Sequence, residues 1–181
     1  ACRDGAGLGR QAGPLRIAVA ASVTELRQPD FIARTRRHLE ASGLAPEMLE
    51  IEITEGVLLG RAPGAVEADL RRLQGIGVKV AIDDLGIGYA SLACLSWLPL
   101  QVLKIDRHFV ATMIEDARMR AIVATIVTLA RALDTTAVAD GIETRAQLDA
   151  LRALGCEEGQ GNLLGRPMPA EELALRLRSD A

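Results

Sequence analysis

The stretch AIDDLGIGYASL (81–92) sets two carboxylates, Asp83 and Asp84, side by side at the end of an apolar run and ahead of a Gly-x-Gly turn. The layout recurs. LEIEIT (49–54) carries Glu50 and Glu52, LKID (103–106) carries Lys104 and Asp106, and VADGIE (138–143) carries Asp140 and Glu143. Side chains alternate along a strand, so LEIEIT places Leu49, Ile51 and Ile53 on one face and its glutamates on the other. In a parallel α/β barrel the carboxyl ends of all strands meet on one face. Acids gathered there raise one another's pKa unless a shared cation compensates them. Carboxylate oxygens are hard ligands and favour magnesium, manganese or calcium over zinc. The adjacent aspartates therefore read as a bridge between two metal ions, one facing the lumen and its neighbour reaching over the rim. Two such ions suit phosphodiester hydrolysis, because together they activate a water, hold the phosphate and offset charge on the leaving oxygen. Lys104 suits the same pocket as a point charge facing the water or the phosphate.

Each residue also has a plainer reading. One acid at a strand end commonly caps the following helix or sits in a solvated loop, and a single lysine commonly snorkels to the surface. Gly86 and Gly88 could cradle a phosphate, but a tight turn explains them as well. His38 and His108 have no partner at ligand spacing and are assigned no chemistry. The coincidence of four acid-bearing strand ends favours the site.

The elements that would position these residues alternate between beta-like and helix-like runs, the pattern of a parallel α/β domain. Strands are expected at 15–22, 49–54, 78–83, 102–106, 136–140 and near 156–161. Helices are expected at 31–42, ending at Gly43, and at 65–74, with Val66, Leu70 and Leu73 on one face. Further helices are expected at 115–133, with a core stripe of Ile122, Ile126 and Leu129, and at 144–155, opened by Thr144 and Gln147 in capping-box spacing. A closed barrel of this type has eight βα units and about 250 residues. The expected fold is therefore a TIM-like β/α barrel that is incomplete, with about six units and the first strands missing.

A chain of 181 residues with 49% hydrophobic content supports one domain with a substantial core. A net charge of −3 with both signs interspersed argues against a nucleic acid polymer as partner, and the scarcity of aromatics, Phe31, Tyr89, Trp97 and Phe109, argues against base stacking. Cys2, Cys94 and Cys156 are widely spaced, with no CxxC pair, and read as reduced packing residues of a cytoplasmic protein. AIVATIVTLA (121–130) stops at Arg131, short of the ~18 apolar residues a membrane span needs. The opening ACRDGAGLGRQ resembles neither a signal peptide nor a domain start. Two open sheet edges predict that the 181-residue chain alone is unstable or oligomeric, a homodimer included.

LEIEITE (49–55), AIDDLGIGYASL (81–92), LKIDRHFV (103–110), AVADGIET (137–144) and LGCEEGQGNLLGRPMP (154–169), in that order, resemble the successive motifs of the EAL domain family. The resemblance implies metal-dependent hydrolysis of the bacterial messenger cyclic di-GMP to the linear dinucleotide, with two Mg2+ or Mn2+ ions. It implies that residues 1–181 are a single EAL-like domain lacking its N-terminal part, with sensory or cyclase domains expected in the parent chain. Carried over residue by residue, it makes Glu52, Asp83, Asp84 and Asp140 metal ligands, Lys104 and Glu143 catalytic residues, and Gln160 and Arg166 substrate contacts. It makes Glu55 the anchor of the loop after Asp84.

Departures from the family pattern accompany these matches. The signature Glu-Ala-Leu tripeptide would lie upstream of residue 1. Where the family has Val-Asn-Leu-Ser, this chain reads Val19-Ala20-Ala21-Ser22, so a ligating amide becomes a methyl group. Asp140 stands where the family has Glu, and Ile87 replaces a threonine in the loop after Asp84. These losses predict little or no phosphodiesterase activity for this chain. A catalytically dead cyclic di-GMP receptor or protein-interaction module is the alternative, and a sugar-phosphate enzyme on the same barrel is a third class.

Overall fold

Six short strands, the first five built on apolar runs, pair in parallel and in chain order: β1 (Ile17–Ala20), β2 (Leu49–Thr54), β3 (Lys79–Leu85), β4 (Val102–Ile105), β5 (Thr136–Ala139) and β6 (Glu158–Gly159). They form a curled, incomplete barrel in this computed structural model, which describes residues 2–12, 15–58, 63–85 and 92–179. The Gly86, Ile87 and Gly88 expectations fall outside the described residues.

Helices α1 (Cys2–Ala12), α2 (Val23–Leu26), α3 (Phe31–Ser42), α4 (Pro63–Gly75), α5 (Arg107–Thr112), α6 (Ala117–Ala132), α7 (Arg145–Ala153) and α8 (Ala170–Ser179) complete the fold. The core lies between the sheet and this layer. Ile53, Ile82, Leu103 and Ile105 are fully enclosed, as are Val66, Leu70 and Leu73 of α4, the face expected from their spacing. Burying each such side chain contributes about 1.5–3 kcal/mol.

The helix boundaries follow local chemistry. Gly43 ends α3 in the left-handed conformation, its N–H donating to the Leu39 carbonyl. Thr144 and Gln147 form the reciprocal capping box that opens α7. Asp116 caps α6 by accepting from the Arg118 N–H.

One expectation is corrected. In α6 the buried stripe is Val123, Ile126, Val127 and Ala130; Ile122 is exposed and Leu129 only half-buried. Helices tolerate such a rotation of the buried face when the flanking residue is also apolar, as Val123 and Val127 are here. The opening segment, to which the sequence assigns no element, is helix α1 despite glycines that lower helix propensity. Tertiary packing overrides propensity: a Cβ on Gly5 would run into Ile17, so glycine lets α1 lie close on β1, and α1 also packs against α8.

β1 and β6 are the two ends of the ladder, the edges that the sequence leaves open. The Arg16 guanidinium, just before β1, bonds the Glu158 carboxylate of β6, and its Nε lies 3.8 Å from Glu50 Oε2. A partly exposed ion pair thus links the residue before β1 to the last strand.

Candidate functional site

Each expected site residue of the strand ends sits at the carboxyl end of the sheet because of its register. Ala20 pairs with Glu52 and Glu52 with Ala81, while Thr54 pairs with Asp83. Glu52 and Lys104 face the lumen from β2 and β4, with β3 between them, and Asp83 joins them there. The Lys104 Nζ lies 2.8 Å from Glu52 Oε1 and 3.1 Å from Asp83 Oδ2. Its side chain is only 5% exposed. Burial works against the ammonium charge, but the hydrogen bond to Glu52 and the charges of Asp83 and Glu52 outweigh it, so its pKa lies above the usual lysine value. Lys104 therefore keeps its charge at neutral pH and acts there as a hydrogen-bond donor.

Asp83 and Asp84 part company through an irregularity in β3. Ile82 pairs with Leu103 but Leu85 with Ile105, so β3 carries one residue more than β4 between those pairs. Such a bulge re-aims side chains. Asp84 adopts φ 58°, and its N–H donates to Asp83 Oδ1 at 3.0 Å. Asp83 is left in the lumen, while Asp84 turns into a cleft of about 710 Å³ at the barrel mouth, lined also by Asp106, Arg107, His108, Asp140 and Glu143. Desolvation, the Asp83 charge and a side-chain contact with Asp106 raise the Asp84 pKa.

Asp106 serves two neighbours, capping α5 by accepting from the His108 N–H at 2.7 Å while facing Asp84. Asp140 is held by Gln160, whose Nε2 donates to Oδ1 at 2.9 Å. Glu143 lines the cleft, its own N–H bonded to Gln147 Oε1. Glu55 is buried in the turn after β2, whereas the loop it is expected to anchor lies outside the described residues. Arg166 is exposed beyond β6 and does not line the mouth cleft among the described residues.

Below the mouth, a lumen cavity of about 390 Å³ is bordered by Arg16, Glu50, Glu52, Lys104, Glu158 and Gln160. Glu50 Oε2 is buried there without a hydrogen-bond donor. Burial raises the Glu50 pKa, with Arg16 opposing and Glu52 and Glu158 reinforcing the rise.

The donors are the hard oxygens that Mg2+ or Mn2+ takes, and the like-charge crowding at Asp84 is what a cation would relieve. As they stand, no three acidic, histidine or cysteine side chains among the described residues converge tightly enough to enclose an ion. Lys104 draws Glu52 and Asp83 to itself, and the bulge turns Asp84 away from them.

The EAL domain profile matches residues 1–167. The chain belongs to the EAL domain family. A curated relative, the bifunctional diguanylate cyclase/cyclic di-GMP phosphodiesterase MucR of Pseudomonas aeruginosa, is 42% identical over 157 residues, covering 87% of this chain and 23% of MucR. The PaMucR phosphodiesterase in its c-di-GMP complex superposes with a TM-score of 0.89 at 41% identity, over 96% of this chain and 70% of that one. BlrP1 of Klebsiella pneumoniae, solved with manganese and cy-diGMP, matches with a TM-score of 0.78 at 30% identity, over 87% of this chain and 41% of that one. The chain spans about a fifth of the length of the curated relatives it matches.

Within this EAL domain, sequence reasoning gave Arg107 no role and assigned His108 no chemistry, yet both line the mouth cleft. The available signal was their place directly after the strand-end Asp106. It also gave no role to Arg16, whose partners lie 34 and 142 residues away in the chain. No described helix is long and apolar enough to cross a membrane.

Proposed function

We propose that this EAL domain recognises cyclic di-GMP at the barrel mouth and hydrolyses it slowly or not at all. The observation that carries the reading is the Lys104 ammonium held between Glu52 and Asp83, with Asp84 turned over the rim toward Asp106 and Asp140. Mg2+ or Mn2+ would be held by Glu52, Asp83, Asp84 and Asp140. When bound, such ions lower the pKa of a water and offset charge on a phosphodiester. Lys104, kept protonated, donates to that water or to a phosphate oxygen. Glu143 serves the same cleft as a proton acceptor, Gln160 and Arg166 contact the substrate, and Glu55 steadies the adjoining loop. Solved relatives bound to c-di-GMP, and one solved with calcium or manganese, support the substrate class and the cation requirement.

Impairment rests on two positions. Ala20, paired with Glu52 in the ladder, offers a cation no side-chain oxygen. Asp140 is one methylene shorter than the Glu of the family pattern, and a displacement of ~1 Å at a reacting centre costs about a hundredfold in rate. Cyclic di-GMP with Mg2+ or Mn2+ tests turnover, and calorimetry with Ca2+ tests binding. Binding without turnover is expected, turnover comparable to MucR would overturn the impairment, and no binding in either medium would overturn the reading. A pure protein-interaction role is the second reading, favoured by the same Ala20. The full-length protein is proposed to be cytoplasmic and to carry sensory or cyclase domains, as MucR carries cyclase activity. A homodimer is part of the same proposal, tested by light scattering.

A further inference from the structure

We infer that Gln160 is a positioning residue for Asp140: its amide fixes one carboxylate oxygen and leaves the other to face the mouth cleft. This rests on the proposed cation site but adds to it, since the resemblance gives Gln160 only to substrate.

The contact is 2.9 Å from Gln160 Nε2 to Asp140 Oδ1. An ionised carboxylate only accepts, so the amide must present its NH2 end. Asp140 is half-exposed and its terminal torsion is broad, so an untethered carboxylate would sweep a wide arc.

The backbone is arranged to keep the amide in place. Gln160 N–H donates to the Ala139 carbonyl at 2.8 Å, and the Gln160 carbonyl accepts from Ile142 N–H at 3.0 Å. Residue 160 is thus tied to the chain on both sides of Asp140. Its neighbours leave no room for drift. Gly159 packs where a Cβ would lie 2.5 Å from Ile142 Cδ1, and Gly161, at φ 153°, lies against the Ile142 backbone so closely that any Cβ would collide. Two glycines flanking one polar residue, both pressed on Ile142, make a tight wrap around the Asp140 turn.

Gln160 also borders the lumen cavity, whereas Asp140 lines the mouth cleft, so the pair spans the boundary between the two spaces. Such outer partners of a cation ligand are worth about 10–100-fold in metal affinity. The shorter acid at 140 makes the tether more consequential, since orientation must supply what length does not.

Two measurements test this. Without metal, the Gln160 side-chain amide resonances, identified by their loss in Gln160→Met, should shift in Asp140→Ala; unchanged resonances overturn the pairing. With Mn2+ followed by EPR, Gln160→Met should weaken uptake about tenfold or more. Methionine keeps the bulk and lacks the donor, so a packing role would leave affinity unchanged, and that result overturns the inference. A wild type that takes up no Mn2+ overturns the cation reading of the proposed function and the purpose given to the tether, while the amide resonances still decide the pairing itself.

Discussion

Lys104 on β4 reaches past β3 to Glu52 on β2, a contact of 2.8 Å between side chains of the same lumen layer. Asp83 closes the triad from the strand between. Removing the buried ammonium leaves two partly exposed carboxylates, Glu52 and Asp83, facing each other without their shared cation. Breaking a buried ionic group this way costs about 3–5 kcal/mol. Lys104→Met should lower the unfolding free energy by roughly that amount in urea titration, with Glu52→Gln recovering part of it in the same background. An additive double mutant would contradict the coupling.

The pH dependence of that triad has a definite sign. The folded Lys104 pKa lies above the ordinary value, so its contribution is complete below the ordinary lysine pKa and is lost only as pH rises through the folded one. Urea midpoints compared between wild type and Lys104→Met should keep a constant difference across neutral pH and converge in strong alkali. Convergence near neutrality would contradict a raised pKa.

Glu50 titrates in the same sense for a different reason. Burial raises its pKa, so the stability it contributes is complete below the ordinary glutamate value and is lost as pH rises through the folded value. Its Oε2 is buried with no hydrogen-bond partner. Glu50→Gln should therefore raise the melting temperature at pH 7 by about 2–4 °C, the shift that ~1 kcal/mol produces at this size, and flatten its rise on mild acidification. A lower melting temperature would mean that the Arg16 charge outweighs the desolvation.

Ala20 gives the converse test. Asparagine there would add an amide oxygen beside Glu52 in the ladder. Ala20→Asn with Asp140→Glu should tighten Mn2+ binding by about tenfold or more, read by EPR. Unchanged affinity would remove these two positions as the cause of impairment.

Asp84 carries a backbone cost. At φ 58° aspartate and asparagine are tolerated, but a β-branched side chain meets the carbonyl and costs about 1–2 kcal/mol. Asp84→Val should lose that much stability in urea and Asp84→Asn little; equal losses would trace the effect to charge instead.

Much of this was legible in the sequence. Strands β1 to β5 and the face of α4 follow from apolar runs and their spacing, whereas the acids expected at one site divide between the lumen, where Glu52 and Asp83 meet Lys104, and the mouth cleft, which Asp84 and Asp140 line. The misses have physical causes. Helix α1 contains glycines whose value lies in close contact with Ile17, which no local propensity records. The α6 stripe was set one residue off because Ile122 and Val123 are both apolar, and only the partner surface selects between them. Arg16 carried no sequence signal because its partners Glu50 and Glu158 are distant in the chain. The Gln160 tether needs the β5 and β6 ends side by side, which the motifs alone do not supply.

The extra residue in β3 makes the neighbouring aspartates unequal in a way that point substitutions would not reveal. Excising Asp84 would leave the same number of residues between the pairs Ile82–Leu103 and Leu85–Ile105, a regular ladder in which Asp83 stays beside Lys104 and the carboxylate that faces the mouth is gone. The spare residue is therefore dispensable for strand pairing and serves only to give one strand end two carboxylates with different outlooks, so a lineage freed from any use of the mouth could shorten the segment without unzipping the ladder.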